Sequence, residues 1–383
     1  MTDMIKYIGC DDADLTLFES QYAVPDGMCY NSYVILDEKV AIMDSSDKRT
    51  LERWKSNLKA ALDGRKPDYL IVHHLEPDHS SGIAEIVAMY PDLQLVCSAK
   101  ASTMIPLYFP DIKMNLMAVK DGDSLSLGTH ELHFVMAPMV HWPEVMVTYD
   151  STARTLFSAD AFGTFGVMEA NADDWACEAR RYYFNICGKY GIPVSTLLKK
   201  VSALDVERIL PLHGPVLSGE KLAEALRLYR IWSSYDIESE GVFIAYASIH
   251  GCTGQAVEKI AGILRARGCK KVVITDLCRS DQSEAVEDAF RYGKIVLAAS
   301  SYDGGLFSPM YDFLHRLQTK AWQKREVSII ENGSWAPSAG RVMRQMLEEM
   351  KDITIKGDTV TLRGVLKAED TQALENLAGA IME

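Results

Sequence analysis

The chain lacks the features that would tie it to a membrane, to nucleic acid or to a cysteine-bound metal module. None of its eight cysteines forms a C-x-x-C pair, which excludes an appended module of the rubredoxin or zinc-ribbon type. No apolar run approaches the length of a membrane span, and the N-terminus has no apolar core of the signal-peptide kind. The formal charge of -13 argues against nucleic acid or an anionic membrane as the main partner. We therefore expect a cytoplasmic protein with reduced, scattered cysteines.

What the sequence does contain is enough apolar chain for more than one core. Its 383 residues are 48% hydrophobic and 24% charged, and this length favours two or three domains. A polar stretch without clear periodicity, at about 229–241, separates two regions of different rhythm. The sequence therefore predicts one domain over 1–240 and another over 241–383.

The densest chemical signal is a short loop that follows an apolar run at 69–72. Four candidate metal ligands fall within six residues of this loop: His74, Glu76, Asp78 and His79. The first three stand at alternate positions, and such side chains of an extended segment point the same way. We therefore predict that they converge, with the fourth on the turn into a helix at 83–90. A solvated polar loop is the less favoured interpretation because an apolar strand aims the ligands.

Three more candidate ligands each come just after a predicted strand. They are His141, Asp160 and His213, after strands at 129–138, 155–159 and 208–212. A single histidine is usually a surface or satisfied core residue. Strand ends at one edge of a sheet meet in space, however, and α/β layers place their sites there. The shared position predicts that all seven candidates form one site.

The region before 240 reads as a mixture of strands and helices around that site. Further strands are predicted at 29–36, 40–44, 93–97 and 145–149, and helices at 48–61, 168–200 and 218–231. After residue 241 the alternation becomes regular. Strands at 242–247, 271–275, 295–299, 327–330 and 353–362 are followed by helices at 254–266, 283–292, 310–320, 338–350 and 370–382. Five such repeats predict an open, doubly wound parallel sheet.

Three loops that follow strands of this second region predict a cofactor site. The candidate residues are Ser248, Ile249, His250, Gly251, Cys252 and Thr253 in the first loop, Ser300, Ser301, Tyr302, Asp303 and Gly304 in the second, and Ser334, Trp335 and Ala336 in the third. The first loop opens a helix, where backbone N–H groups bind anions. It has no lysine, so a phosphate held by neutral donors is favoured over a nucleoside triphosphate. Tyr302 and Trp335 could flank a flat ring.

Taken together, these motifs resemble those of the flavodiiron proteins (A-type flavoproteins) over essentially the whole chain. The match rests on the pattern His74-x-Glu76-x-Asp78-His79, on the three later ligands and on a flavodoxin-like second region. The stretches at 30–33, 141–144, 160–163 and 179–183 are also similar to the family's. The resemblance implies a metallo-β-lactamase-like αββα sandwich that holds two irons, and an FMN in the C-terminal domain.

The resemblance also implies a role for each ligand and a reaction. One iron would be held by His74, Glu76 and His141, the other by Asp78, His79 and His213, with Asp160 bridging them. The residue matching His79 is turned away in some family members. The implied activity is reduction of dioxygen to water or of nitric oxide to nitrous oxide. Near the irons, the hypothetical helpers are Tyr30, Trp142, Tyr182 and Tyr183. His73, His130, His133 and His315 are interpreted as structural.

Partners are implied in the same way. The electron donor would be a separate rubredoxin, a flavin reductase or a reduced deazaflavin. A head-to-tail homodimer or a dimer of dimers would bring the FMN of one subunit to the irons of another. The flavin loops depart from the family pattern at His250, Cys252, Ser301 and Asp303. The last of these would place a carboxylate near the flavin and lower its potential.

Two other interpretations stay open at this point. One is a zinc hydrolase of the metallo-β-lactamase type fused to a flavodoxin-like electron-transfer domain. Such hydrolases use H-x-H-x-D-H, whereas Glu76 stands here at the middle histidine, and the harder, more anionic ligand set favours iron. The other is an electron-transfer module that has lost its metal, which the presence of all seven ligands disfavours.

Overall fold

The computed structural model describes residues 4–170 and 174–383, which form two compact units divided between Ser233 and Ser234. The predicted boundary was 240/241. A break in helical pattern expected from Tyr229 onward is wrong, because the helix there continues to Ser234. Tyr229 and Trp232 are buried aromatic residues of that helix. Within the described ranges, none of the helices combines the length and apolarity that a membrane crossing needs.

The first unit is built on two mixed six-stranded sheets. Its strands are β1 (Ile5–Tyr7), β2 (Cys10–Asp12), β3 (Leu17–Phe18), β4 (Tyr22–Ala23), β5 (Met28–Tyr30), β6 (Tyr33–Leu36), β7 (Val40–Met43), β8 (Tyr69–Val72), β9 (Gln94–Ser98), β10 (Asn115–Val119), β11 (Ser124–Ser126), β12 (Glu131–Met136), β13 (Met146–Asp150), β14 (Thr155–Phe157), β15 (Arg208–Leu210) and β16 (Leu217–Ser218). One sheet has the order β1-β6-β7-β8-β9-β10 and the other runs from β11 to β16 in sequence order. The strand predicted over 29–36 is two strands.

The helices of this unit are α1 (Leu51–Leu62), α2 (Pro77–Ser80), α3 (Ile83–Met89), α4 (Ala99–Tyr108), α5 (Trp175–Tyr182), α6 (Gly191–Val201) and α7 (Gly219–Ser234). A π-helical turn (Tyr183–Cys187) and a 3₁₀ turn (Gly188–Tyr190) lie between α5 and α6. The region 168–200, which was predicted to be helical, is therefore divided into several helical segments. It is also too long at its start, since α5 begins at Trp175; residues 171–173 lie outside the described ranges.

Two apolar layers hold the first sheet in place, and they use alternate residues of the same strands. Leu70 belongs to the core between this sheet and the helices, together with Trp54 of α1. Its neighbour Ile71 belongs to the core between the two sheets, together with Phe134 of β12. Strands buried on both faces read as continuous apolar runs, which is why β8 was predicted with its observed bounds.

The second unit is a parallel sheet with helices in the connections. Its strands are β17 (Ser239–Ala247), β18 (Val272–Asp276), β19 (Tyr292–Tyr302), β20 (Gly305–Leu306), β21 (Arg325–Asn332), β22 (Ile353–Ile355) and β23 (Val360–Leu362), and its helices are α8 (Cys252–Ala266), α9 (Gln282–Arg291), α10 (Ser308–Thr319), α11 (Ala339–Glu348) and α12 (Asp370–Met382). The order β18-β17-β19-β21-β22 is that of flavodoxin-like folds. The strand predicted over 353–362 is two short strands, β22 and β23, which pair with opposite ends of β21.

The predicted fold class is confirmed in both units: a sandwich of two sheets with outer helices, and a doubly wound parallel sheet. In the second sheet, the chain leaves β17 for β18 on one side and β19 lies on the other. Such a reversal opens a crevice at the carboxyl ends of the strands, where ligands bind in these folds. The three predicted cofactor loops all begin at those ends.

Candidate metal centre and flavin cavity

All seven candidate ligands lie in loops or turns that follow strands of the first unit. His74 and Glu76 come after β8, and Asp78 and His79 lie in α2, which starts at Pro77. His141, Asp160 and His213 follow β12, β14 and β15. The prediction of one extended loop was wrong for Asp78, because the chain already turns helical at Pro77. That turn is what sends Asp78 to a different group from Glu76.

The first group of ligand atoms comes from His74, Glu76, His141 and Asp160. The Nε2 atom of His141 lies 3.1 Å from Glu76 Oε2 and 3.0 Å from Asp160 Oδ2. His74 Nε2 lies 3.1 Å from the same glutamate oxygen and 3.4 Å from the same aspartate oxygen. Two imidazole nitrogens and two carboxylate oxygens therefore face one point.

The second group comes from Asp78, His79 and His213. The two Nε2 atoms of the histidines are 2.9 Å apart, and each lies 3.3 Å from Asp78 Oδ2. Asp160 reaches this group with its other oxygen, since Oδ1 is 3.7 Å from both Nε2 atoms. One carboxylate thus turns one oxygen to each group.

The hydrogen bonding of these residues fits a metal. Both side-chain oxygens of Asp78 and Oδ1 of Asp160 are buried and have no hydrogen-bond partner within the described ranges. A buried carboxylate without donors is costly, and a cation between the groups would satisfy it. His213 donates from Nδ1 to the carbonyl of Cys29 at 2.7 Å, which leaves the Nε2 lone pair free for a metal.

The electrostatics keep the carboxylates ionised, as metal ligands must be. Burial raises the pKa of Asp160, but the charge of His74 and a hydrogen bond to His141 outweigh it and hold this pKa well below its usual range. The pKa of Asp78 is also lowered, against burial, by His79 and His213. Burial would lower the pKa of His141, yet hydrogen bonds to Asp160 and Glu76 raise it to about 9. The imidazoles thus compensate the negative charge of the carboxylates, which bound metal ions would otherwise compensate.

Three of the four predicted neighbours of the centre pack against ligand rings. The ring of Tyr182 lies 5.6 Å from that of His213, Tyr30 lies 5.9 Å from the same ring, and Trp142 lies 5.1 Å from His74. Burial raises the pKa of Tyr182 well above its usual value, so its phenol stays protonated. Tyr183 differs: its ring packs at 5.1–5.3 Å against Phe184, Tyr229 and Trp232 in an aromatic cluster.

Sequence reasoning missed Glu144, a residue in contact with the centre. Its Oε1 accepts hydrogen bonds from His74 Nδ1 at 2.8 Å and from the Leu75 N–H at 3.0 Å. The residue is 1% exposed. It lies three positions after His141, in a stretch that was noticed only as family-like. A signal existed, because a glutamate between residues of buried strands almost always has a partner.

Three of the four histidines interpreted as structural make contacts of that kind. His73 uses both ring nitrogens, Nδ1 toward Asp44 and Nε2 toward Thr148 at 2.7 Å. His130 bonds Asp150 at 2.6 Å, and His133 contacts Ser151 at 3.2 Å. His315 lies on the surface of α10.

A cavity of about 610 Å³ opens at the carboxyl ends of the strands in the second unit. It is lined by thirteen of the fourteen predicted cofactor residues: Ser248, Ile249, His250, Cys252, Thr253, Ser300, Ser301, Tyr302, Asp303, Gly304, Ser334, Trp335 and Ala336. Gly251 lies in an adjoining hollow. Asn332 and Gly333, which begin the third predicted loop but were not among its candidate residues, also line the cavity, and so does Gly364, which was missed. Among the residues that the structure describes, neither lysine nor arginine lines this cavity, which suits a phosphate held by neutral donors.

Some of these residues stabilise the loops and the helix end that form the cavity. Asp303 and Gly304 have φ of 48° and 68° and form the two-residue turn between β19 and β20, for which Asp-Gly is a preferred pair. The turn therefore explains why an aspartate stands at position 303, an explanation that the sequence alone did not suggest. Ser301 accepts hydrogen bonds from the backbone N–H groups of Ser338 and Ala339, at 2.8 and 3.1 Å, so its hydroxyl caps α11.

Comparison with known proteins agrees with both units. The family described as "ODP family beta lactamase" matches residues 28–214. A nitric oxide reductase of Moorella thermoacetica is 27% identical, over 100% of this chain and 97% of the relative. An anaerobic nitric oxide reductase flavorubredoxin of Salmonella paratyphi B is 28% identical, over 88% of this chain and 72% of the relative.

Solved structures have the same fold. Rubredoxin oxygen:oxidoreductase from Desulfovibrio gigas superposes with a TM-score of 0.93 at 21% identity, covering 99% of this chain and 96% of the other. The flavodiiron protein of Giardia intestinalis gives 0.91 at 21% identity, covering 99% and 95%. At these identities the likeness establishes the fold.

Fold and site together define a two-unit protein that joins a metallo-β-lactamase-like sandwich to a flavodoxin-like sheet. The seven clustered ligands and the relatives that match along the chain agree with the resemblance to the flavodiiron proteins. The chain is similar over its whole length to a nitric oxide reductase and has the fold of flavodiiron proteins.

Proposed function

We propose that this protein is a reductase that converts dioxygen to water, nitric oxide to nitrous oxide, or both, at a pair of irons supplied with electrons by FMN. The observation that carries the proposal is the position of Asp160. Its two oxygens face two separate groups of buried ligands, as a bridge between two metal ions would. The reductase names of the relatives from Moorella and Salmonella support the same activity.

In this proposal, His74, Glu76 and His141 hold one iron, and Asp78, His79 and His213 hold the other. The unpartnered oxygens of Asp78 and Asp160 support these roles, and so does the place of His79 Nε2, 2.9 Å from His213 Nε2. When bound, two ferrous ions and a reduced FMN would supply four electrons, which is the number that full reduction of dioxygen requires.

The chain's own residues would orient the gas, exclude water and provide protons. Tyr182 is the best-placed donor, because it is buried, its ring contacts that of His213 and its phenol stays protonated. Trp142 covers the His74 side. Tyr30 covers the second group, near His79 and His213. Tyr183 packs among aromatic residues and has no such part in the proposal.

The FMN would occupy the cavity of the second unit. Its phosphate would lie at the start of α8, where Ser248 already orders the turn by accepting hydrogen bonds from Gly251 and Gly254. Tyr302 and Trp335 are 49% and 90% exposed and could contact the flat ring. A rubredoxin, a flavin reductase or a reduced deazaflavin would deliver electrons. A head-to-tail dimer or dimer of dimers in the cytoplasm stays part of the proposal.

The zinc-hydrolase alternative has less support. Glu76 supplies a carboxylate oxygen to both His74 and His141, where a third imidazole would suit zinc better. The resulting anionic, oxygen-rich set favours a metal that cycles between ferrous and ferric states.

The test is the metal and flavin content of protein purified without oxygen, followed by gas consumption with a reduced donor. About two irons and one FMN per chain, with uptake of either gas, is the expected result. Zinc in protein expressed with ample iron, together with no gas uptake, would contradict the proposal. Iron without FMN would contradict the assignment of the cavity alone.

A further inference from the structure

The imidazoles of the metal centre differ at the nitrogen that faces away from it. Behind His74, Nδ1 meets the carboxylate of Glu144 at 2.8 Å. Behind His213, Nδ1 meets a neutral carbonyl, that of Cys29, at 2.7 Å. The Nδ1 of His79 is buried and has no hydrogen-bond partner within the described ranges. Among the described residues, an outer imidazole nitrogen bonded to a buried carboxylate is therefore found only in the ligand group of His74, Glu76 and His141. Asp44 acts on His79 through its charge without such a bond.

Glu144 is held firmly in that place. Its Oε1 also accepts the N–H of Leu75, the residue next to the ligand, at 3.0 Å. Its backbone carbonyl accepts the hydroxyl of Ser98 at 2.6 Å, and the same hydroxyl caps α4 through Ala101. Glu144 thus contacts the ligand loop through its carboxylate and the end of β9 through its backbone carbonyl. The side chain is almost fully buried, so the carboxylate cannot swing to water without breaking its bonds to His74 and Leu75.

The types of residue whose atoms face each metal position do not explain a difference in metal affinity between the two groups. Each has two imidazoles and one carboxylate of its own, Glu76 or Asp78. Each also faces one oxygen of Asp160, at 3.0–3.4 Å in the first group and 3.7 Å in the second. The difference lies behind the ligands. A carboxylate that accepts the outer N–H of a ligating histidine fixes its tautomer, orients its ring and raises its basicity toward the metal. A backbone carbonyl does the first two but carries no charge.

We propose that Glu144 is a positioning residue that makes the two metal positions unequal, so that the position of His74, Glu76 and His141 fills first and holds its ion more tightly. The inference rests on the proposed function only in that both positions bind iron. The inference adds the order in which the two positions bind iron, and it names Glu144 as the residue that determines this order. Glu144 itself touches no metal; it acts through His74 and through the loop at Leu75.

The test is a titration of the full chain, stripped of metal and kept without oxygen, with Fe(II) alone. Wild-type protein should bind in two steps of different affinity. In Glu144→Gln the amide oxygen can still accept from His74 and Leu75, so the shape is kept and the charge is lost. The first step should weaken about 10- to 100-fold, the second should stay within about threefold, and the two should merge. FMN content should not change.

Asp150→Asn is the matched control. Asp150 also accepts a hydrogen bond from a buried histidine of the same unit, His130 Nδ1 at 2.6 Å, but neither residue belongs to the ligand groups. Both iron-binding steps should be unchanged in this variant. A loss equal to that in Glu144→Gln would overturn the inference, because it would report a general loosening of the unit.

A second pair of variants tests the same order if Glu144→Gln does not fold. His213→Gln removes a ligand of the second group and should keep one tight iron. His141→Gln removes a ligand of the first group and should keep only a weak one. Equal residual affinities would overturn the inference, as would two equally tight irons in the wild type. Wild-type protein that binds no iron would overturn the proposed function as well, so the two failures are distinguishable.

Discussion

The metal centre and the flavin cavity are built in opposite ways. The metal centre consists of buried side chains that contact one another, and Asp160 alone faces four imidazole nitrogens within 3.7 Å. The cavity consists of loop backbone, small hydroxyl residues and exposed aromatic rings, among them Trp335 at 90% exposure. The first site is specified by which residues are present, and the second by where the sheet topology opens. Substitutions should therefore act sharply in the first and gradually in the second.

The largest effect should come from Asp160→Asn. An amide cannot offer one anionic oxygen to each ligand group, so both metal positions lose a charged ligand. We expect less than about one iron per chain and a loss of gas reduction of at least about 100-fold. Metal analysis and gas uptake measure the two quantities.

FMN content should stay at the wild-type level in this variant, because the cavity lies in the other unit. A full complement of iron in Asp160→Asn would remove Asp160 from the role of a bridge. It would also weaken the contrast between the two sites.

A smaller effect concerns a buried carboxylate–imidazole pair away from the metal centre. The hydrogen bond to Asp150 raises the pKa of His130. A raised pKa in the folded state stabilises the protein fully below the unfolded value of about 6.5, and this stabilisation is lost as the pH rises through the folded value. Asp150→Asn should therefore lower the free energy of unfolding by about 2 kcal/mol near pH 6 and by less near pH 9.

Urea denaturation at the two pH values measures that difference. Asp92→Asn, an exposed aspartate of the same unit, is the control and should change little at either pH. An equal loss for Asp150→Asn at both pH values would mean that the charge of His130 does not contribute. The pair would then differ from the metal centre, where the charges of the imidazoles hold Asp160 ionised.

The contrast between a site made of side chains and a cavity made of loops also explains how much could be predicted from the sequence. The seven ligand candidates could be named because few residue types bind metals and all seven follow apolar strands. Their division into two groups could not be worked out from spacing, since it depends on the turn at Pro77 that moves Asp78 away from Glu76. That division came only from the resemblance to a family.

The hardest residues to predict were those that position a ligand or a ligand loop without facing the metal site themselves. Glu144 was missed because its position between buried strands indicates that it has a partner but does not show that the partner is His74. Tyr183 was predicted near the irons together with Tyr182, but consecutive side chains of a helix point in different directions. Asn31 was read as part of one long strand. Its side chain instead bonds the carbonyls of Pro211 and Gly214 at 2.9 and 2.8 Å, which holds the His213 loop and separates β5 from β6.

In the cavity, Trp335→Ala should give a graded effect. The loss of one aromatic contact should weaken FMN binding by roughly three- to tenfold, with iron content unchanged. Quenching of FMN fluorescence measures the affinity. Tyr311→Ala is the control, since Tyr311 is another exposed aromatic residue of the same unit, at 49% exposure, and does not line the cavity. Loss of all bound FMN from Trp335→Ala would contradict a cavity built mainly from backbone.

The smallest effect should come from Ser301→Ala, and it separates folding from binding within the cavity. The Ser301 hydroxyl accepts two backbone N–H groups at the start of α11, so its loss should cost about 1 kcal/mol of unfolding free energy. Ser308→Ala, at an exposed serine of the same unit, should cost much less. FMN affinity should fall by less than in Trp335→Ala, because the hydroxyl is already engaged by the helix. A large loss of FMN affinity with unchanged stability would mean that Ser301 turns to the ligand, and the cavity would then depend on side chains as the metal centre does.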